Sequence, residues 1–283
     1  VAIDAAPVEQ SYPILPEIKG PRVAPRSQIL RRQIMDEREE ETDELAGRVL
    51  THFRGIRNRV DGILGRFMER STTDTKAFPF EAADLLPPIE TGNMSRILEA
   101  AYTRVSKRTF RSINSSGIAG TLNWSDKLPT IQRILTQAPV RAEMIHSTTS
   151  KAIGRAVGMS LERGYSIEQL ARGVPDDRFP GIRSILGETE NRATLIARTE
   201  VMRTQNATQT GFFKEQGYAY VRADDGGGEN DTYVAPGDPY GYTCSERNGQ
   251  IYRLEDAENI EDHPNGTLNW MPMPRGYKPE GDL

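Results

Sequence analysis

Cysteine is all but missing from this chain. Cys244 stands alone, which rules out an intramolecular disulfide and any multi-cysteine zinc cage and fits a reducing compartment, or a particle assembled there. Long apolar runs are missing too. No stretch reaches the ~20 apolar residues that span a bilayer, and residues 1–25 lack the charged-then-apolar order of a signal peptide, so no membrane partner is expected. Apolar residues supply 36% of the chain and charged ones 27%, a balance that suits an extended, helix-rich protein better than a compact enzyme core. A large excess of one charge is lacking overall, with a net charge of −4, but the charge is unevenly spread. From Asp224 to Leu283 there are 13 acidic and 4 basic side chains, a charge of −9, against +5 over the rest. The protein reads as a mildly basic body with an acidic end.

What is present organises into three parts. Residues 1–27 carry Pro7, Pro13, Pro16, Pro21 and Pro25 with little apolar periodicity, the composition of an extended arm. Residues 28–186 read as a helical body. Leu45, Val49, Phe53, Ile56, Val60, Ile63 and Phe67 recur every three or four residues, giving one long helix over 27–70. Gly47, Gly55, Gly62 and Gly65 interrupt it, each costing up to ~1 kcal/mol, so the helix should depend on neighbours. Further helices are expected over 94–113, 128–137, 139–163 and 182–186, and over 166–172 with Ser166 as N-cap and Gln169 three residues on. Residues 187–283 read as a small α+β unit. A helix over 189–216 ends at Gly217, alternating strands follow at 218–222 and 250–254, and an acidic loop over 224–242 separates them. Pro264, Pro272, Pro274 and Pro279 predict an irregular ending. The expected fold class is therefore mainly α, with long helices, an extended N-terminal arm and a small C-terminal α+β unit.

The most specific residues lie between about 190 and 272. A helix carries Arg198-Thr199-Glu200; a strand leads to Asp225; Cys244 precedes the turn Asn248-Gly249; a second strand leads to His263-Pro264-Asn265. Arg198 and Glu200 lie about 200° apart on a helix, so they cannot face one partner. Glu200 shares a face with Ala193, Ile196 and Ala197, predicting that it points inward and needs a donor, with His263 or a loop N–H as candidates. Asn248-Gly249 suits two positive-φ positions of a tight reversal, and Pro264 biases His263 toward extended backbone. In order and spacing these pieces resemble the phage Mu F-like head morphogenesis family, over about 80 residues. The closing segment departs from the family pattern, which often continues into cysteines, whereas Gly266-Thr267-Leu268 follows here.

That resemblance implies a non-enzymatic minor capsid protein of the virion, made in the host cytoplasm. Such a protein acts at the portal vertex or inside the procapsid in viral assembly, DNA packaging or ejection. The implied partners are the portal protein, a major capsid or scaffolding protein, and DNA without sequence preference. On a bland reading Cys244 is a small buried hydrophobe and His263 a hydrogen-bonded residue pinning the last loop to the helix. Cys244 and His263 give only two soft metal ligands, with Asp225 or Asp231 as added carboxylates, so no metal, cofactor or catalytic residue is assigned. The alternatives are a metal-dependent nuclease using His263 with Asp225, Asp231 or Glu200, and an ejected internal DNA-binding protein. For DNA the candidate contacts are Arg54, Arg57, Arg104 and Arg108, on helices whose arginines could track phosphates. Asp224, Asp225, Glu229, Asp231 and Asp238 read as a mobile acidic loop rather than a calcium site. His52 and His146 fall within helices and receive no role.

Overall fold

A computed structural model describes residues 25–70, 78, 80–187, 189–225, 232–263 and 266–279. The Pro-rich arm up to residue 24, Glu229, Asp231, Pro264 and Asn265 lie outside the described residues, as do the expectations that fall on them. Four long helices dominate: α1 (Pro25–Arg70), α3 (Ile89–Ser116), α4 (Pro129–Arg163) and α7 (Thr189–Glu215). Short helices α2 (Ala82–Leu85), α5 (Ile167–Arg172) and α6 (Gly181–Ile185) join them. No helix among the described residues is long and apolar enough to cross a membrane.

The stripe on α1 does what its spacing requires. Leu45, Val49, Phe53, Ile56 and Val60 are buried, and the stripe extends back through Leu30 and Ile34. At its far end Leu64 takes the buried position, leaving Ile63 and Phe67 half-buried. That face packs on α7 and α3, while α4 packs on α3 and α7. At Gly47, Gly55 and Gly65 no described atom lies within 4 Å of where a Cβ would stand. These glycines mediate no close approach there, and tertiary packing carries the helix across them.

Two expectations in the body need correction. The predicted break at Pro139 does not occur, and α4 runs through it. A mid-helix proline costs about 3 kcal/mol, but Ile131, Ile134, Ala138, Ala142 and Ile153 are buried in the core on either side, so packing outweighs it. The helix expected over 94–113 is longer, running as α3 from Ile89 to Ser116, and the short helix α2 precedes it. By contrast, the Ser166 prediction is met in full: Ser166 and Gln169 form a reciprocal capping box on α5.

Beyond Gly217 (φ 73°) the chain enters a three-stranded antiparallel sheet ordered β2-β1-β3. Its strands are β1 (Tyr220–Asp224), β2 (Ile251–Arg253) and β3 (Asn269–Pro272). The central strand pairs Val221 with Tyr252 on one side and Ala223 with Trp270 on the other. All four side chains are buried. Strand β3 replaces the irregular ending read from the prolines. It is an edge strand with Pro272 at its last position, where a missing N–H is tolerated. Two single-turn helices, α8 (Cys244–Arg247) and α9 (Leu254–Ala257), complete the unit. Helix α7 contacts α1, α3 and α4 as well as β3 and α9, so it is shared between body and unit.

Candidate functional site

Of the residues singled out after Gly217, Asp225, Cys244, Asn248 and His263 meet at a buried polar cluster next to the sheet. Asp225, just past β1, is 1% exposed and Arg247, the last residue of α8, is fully buried. Thr243 and Glu246 fix α8 through a capping box, which presents Cys244 and Arg247 on its inner side. Arg247 Nη2 donates to Asp225 Oδ2 at 2.5 Å and to Asp262 Oδ1 at 2.9 Å, and lies 3.3 Å from Cys244 Sγ. Thr267 donates to the other Asp225 oxygen at 3.1 Å. Asp262 Oδ2 accepts the Leu268 N–H at 3.1 Å, and Oδ1 also accepts the His263 N–H at 3.0 Å. Burial favours a neutral guanidine at Arg247, but hydrogen bonding and the charges of Asp225 and Asp262 raise its pKa above the ordinary value. The arginine therefore stays charged.

A second arginine closes the cluster from the body. Arg38 on α1 donates to Gln205 Oε1 of α7 at 2.6 Å, Leu268 O at 3.1 Å and Asn269 Oδ1 at 3.0 Å. Burial lowers its pKa to about 10, opposed by Asp262 and Asp225, so it too is cationic at neutral pH. Gln209 of α7 accepts the Trp270 N–H at 3.1 Å, and Arg203 of α7 pairs with Glu261. The last loop is thus pinned to two helices by Arg38, Gln209 and Arg203. The His263 ring packs edge-on against Tyr233, with centroids 5.0 Å apart, and its carbonyl accepts the Gly266 N–H at 2.7 Å. A Cβ on Gly266 would come within 1.8 Å of Asp262 Oδ2, so this return of the loop requires glycine.

Several expected details change. Asn248-Gly249 is not a double positive-φ turn: Asn248 has φ −58° and ψ 122° and Gly249 φ 85°, the geometry of a type II turn. The turn does lead from Cys244 and its helix α8 into β2, and the Asn248 side chain accepts the Asp225 N–H at 3.0 Å. Asp225 is a buried ion-pair member and not part of a mobile acidic loop. Of the other acidic loop residues, Asp224 pairs with Arg31 at 3.2 Å and Asp238 accepts the Tyr252 hydroxyl at 3.0 Å. Cys244 is buried as expected, but in polar company.

Glu200 does point inward, at 3% exposure, while Arg198 is exposed and Thr199 half-buried. Thr199 Oγ1 bonds the Leu195 carbonyl at 2.8 Å. The donors to Glu200 are not His263 or a loop N–H. Tyr102 of α3 donates to one carboxylate oxygen, and Arg141 of α4 grips the other with Nε and Nη2 at 2.9 and 2.8 Å. This network floors a cleft of about 500 Å³ between α4, α7 and α9, walled by Val140, Met144 and Ile260.

Cys244, Asp262 and His263 each offer a donor atom, and the three lie within 4.8 Å of one another. Among the described residues Asp262, rather than Asp225, is the carboxylate that joins the two soft ligands. Arg247 already lies against the sulfur and this carboxylate, and with Arg38 it balances Asp225 and Asp262. A divalent ion would add charge to a cluster already neutral.

The four arginines proposed for DNA are all paired. Arg54 meets Glu190 at 2.7 Å, Arg57 meets Asp61 at 3.9 Å, Arg104 meets Glu41 at 3.3 Å and Arg108 meets Glu40 at 2.6 Å.

Sequence reasoning missed Arg38, Arg247, Asp262, Tyr102 and Arg141. For Arg38 a signal was present: it lies in phase with Leu30, Ile34 and Leu45, on the apolar stripe, inside an acidic run. Glu41, in the same phase, is 1% exposed.

Fold and site together define a helical body carrying a small α+β unit sealed by buried ion pairs. Beyond that class, no family model, curated protein or solved structure matches this chain.

Proposed function

We propose that the protein is a minor capsid component of the Mu F-like head morphogenesis class, acting inside the procapsid or at the portal vertex in head assembly and in DNA packaging or ejection. One observation supports this reading above the others. Asp225, Cys244, Asn248 and His263, scattered over 39 positions of sequence, belong to one hydrogen-bonded cluster through Arg247 and Asp262.

The same geometry weakens the nuclease alternative. Glu200 is committed to Tyr102 and Arg141, and Asp225 to Arg247, so neither carboxylate is free to hold a catalytic metal in this arrangement. For the DNA-binding alternative a phosphate would have to displace a carboxylate, a small cost at the exposed pairs of Arg54 and Arg57 and a larger one at Arg104, whose partner Glu41 is buried.

Portal protein is the proposed principal partner, with capsid or scaffolding protein as a further contact. The test is composition: quantitative mass spectrometry of purified procapsids and virions, together with co-purification on tagged portal protein. The expected result is a low-copy, stoichiometric presence in particles and retention on portal. Absence from both particle types overturns the proposal.

A further inference from the structure

The body contains a titratable device that the assembly reading does not use. His52 on α1 and His146 on α4 face each other with their Nε2 atoms 3.2 Å apart and their rings edge to face, centroids 5.4 Å apart. The side chain of His52 is 7% exposed, and His146 is 4% exposed. Helices α1 and α4 stand across the bundle from one another, each packed mainly on α3 and α7, and the imidazoles bridge that gap. We propose that this pair is an acid-sensitive latch: a first proton places an uncompensated charge between α1 and α4, a second breaks the bond between the rings, and the bundle loosens at that level.

The bond between the rings needs one Nε2 as donor and the other as acceptor, so it exists only while at least one ring is neutral. Glu90 of α3 lies 3.5 Å from His52 Nδ1, which favours a proton on that nitrogen. His52 Nε2 is then the acceptor and His146 Nε2 the donor. His146 Nδ1 is left buried with no hydrogen-bond partner among the described residues. A proton arriving at that atom makes a buried N–H with nothing there to accept it, in a cationic ring.

The charges around the pair do not rescue the cation. Among the described residues Glu90 is the carboxylate facing it, and it is already bound by Arg59 of α1 at 2.6 Å. From α7, Arg192 reaches across to donate to Ile145 O at 2.9 Å, with its guanidinium over Phe53, and repels a second positive charge. Burial pushes His146 down to about 4, aided by His52 and Arg192, and burial lowers His52 as well. The folded pKa lies below the unfolded 6.5, so the unfolded chain binds the extra protons. Stability is whole above about pH 6.5 and is lost as pH falls toward 4.

The test uses the full chain. Histidine Cε1 resonances are followed from pH 8 to 4, and amide exchange, corrected for intrinsic rate, is read over residues 48–57 and 142–150 at pH 7.5 and 5.0. The comparison is the double variant His52→Gln, His146→Gln, which keeps donors and acceptors but cannot be charged. The wild-type chain is expected to lose on the order of tenfold or more in protection at pH 5.0, and the double variant distinctly less. Equal losses in the two proteins overturn the latch. If the double variant does not fold, the wild-type titration decides alone. Two imidazoles titrating near 6.5, or protection unchanged through their depressed titration, overturn it; depressed titration coupled to lost protection supports it.

Discussion

The helical body and the C-terminal unit differ in what fills their centres. In the body, apolar stripes on α1, α3 and α4 supply most of the core, and the buried polar groups, such as Glu41, Glu200, Thr208 and Gln209, are set into it singly along α1 and α7. In the unit the strands are only three to five residues long, and the centre holds two carboxylates and a fully buried arginine beside Trp270 and Tyr252. The tail is too acidic to neutralise itself: its own Arg247 is joined by Arg38, lent by α1. The difference teaches that the unit is not an independent core laid beside the bundle. Its charge balance is completed only when α1 is in place.

The sharpest way to break the comparison is to remove the internal cation. Arg247→Met keeps most of the side-chain bulk but leaves Asp225 and Asp262 buried without their shared partner. Breaking a buried ion pair from one side typically costs about 3–5 kcal/mol, and urea unfolding followed by tryptophan fluorescence should read that loss through Trp270. A cost below about 1 kcal/mol, the range of exposed pairs, would mean that water reaches the cluster and that the unit is not ion-centred.

The junction between the two regions offers a smaller effect. Gly211 lies on α7 where Thr130 of α4 crosses it, and a Cβ there would approach Thr130 Cγ2 to 2.0 Å. Thr130 is itself 6% exposed, so it has little room to turn away. Gly211→Ala should therefore destabilise the body by about 1–3 kcal/mol through overpacking, measured by the thermal midpoint. The companion Thr130→Ser, Gly211→Ala variant should recover part of the loss, which would place the strain at this crossing.

How much of this was legible in the sequence follows from which chemistry holds each region. Apolar periodicity marks a helix directly, so α1, α3, α5 and α7 could be read within a few residues of their ends. It also tolerates one bad position, which is why Pro139 suggested a break that packing overrides. The unit could be read only in outline. Strand β3 is four residues long and flanked by prolines, and α8 and α9 are single turns, too short to show any period. The cluster residues Arg247 and Asp262 are charged residues in a charged tail, and nothing local distinguishes a buried ion from a solvated one. Glu200 was legible because a helix face told its direction; its partners, Tyr102 and Arg141, come from 98 and 59 positions away and left no local trace.

The smallest effect probes the outer side of the body. If α1 is carried by its buried stripe alone, its exposed glycines are a cost with no packing return. Gly55 is exposed, with no described atom within 4 Å of the place a methyl group would occupy. Alanine there narrows the unfolded ensemble and touches no neighbour, so Gly55→Ala should raise stability by about 0.5–1 kcal/mol, read as a higher urea midpoint at unchanged slope. A loss instead of a gain would mean that this face of α1 closes against something when the protein is whole, and a second subunit or a partner would then be competing with the methyl group for the same surface.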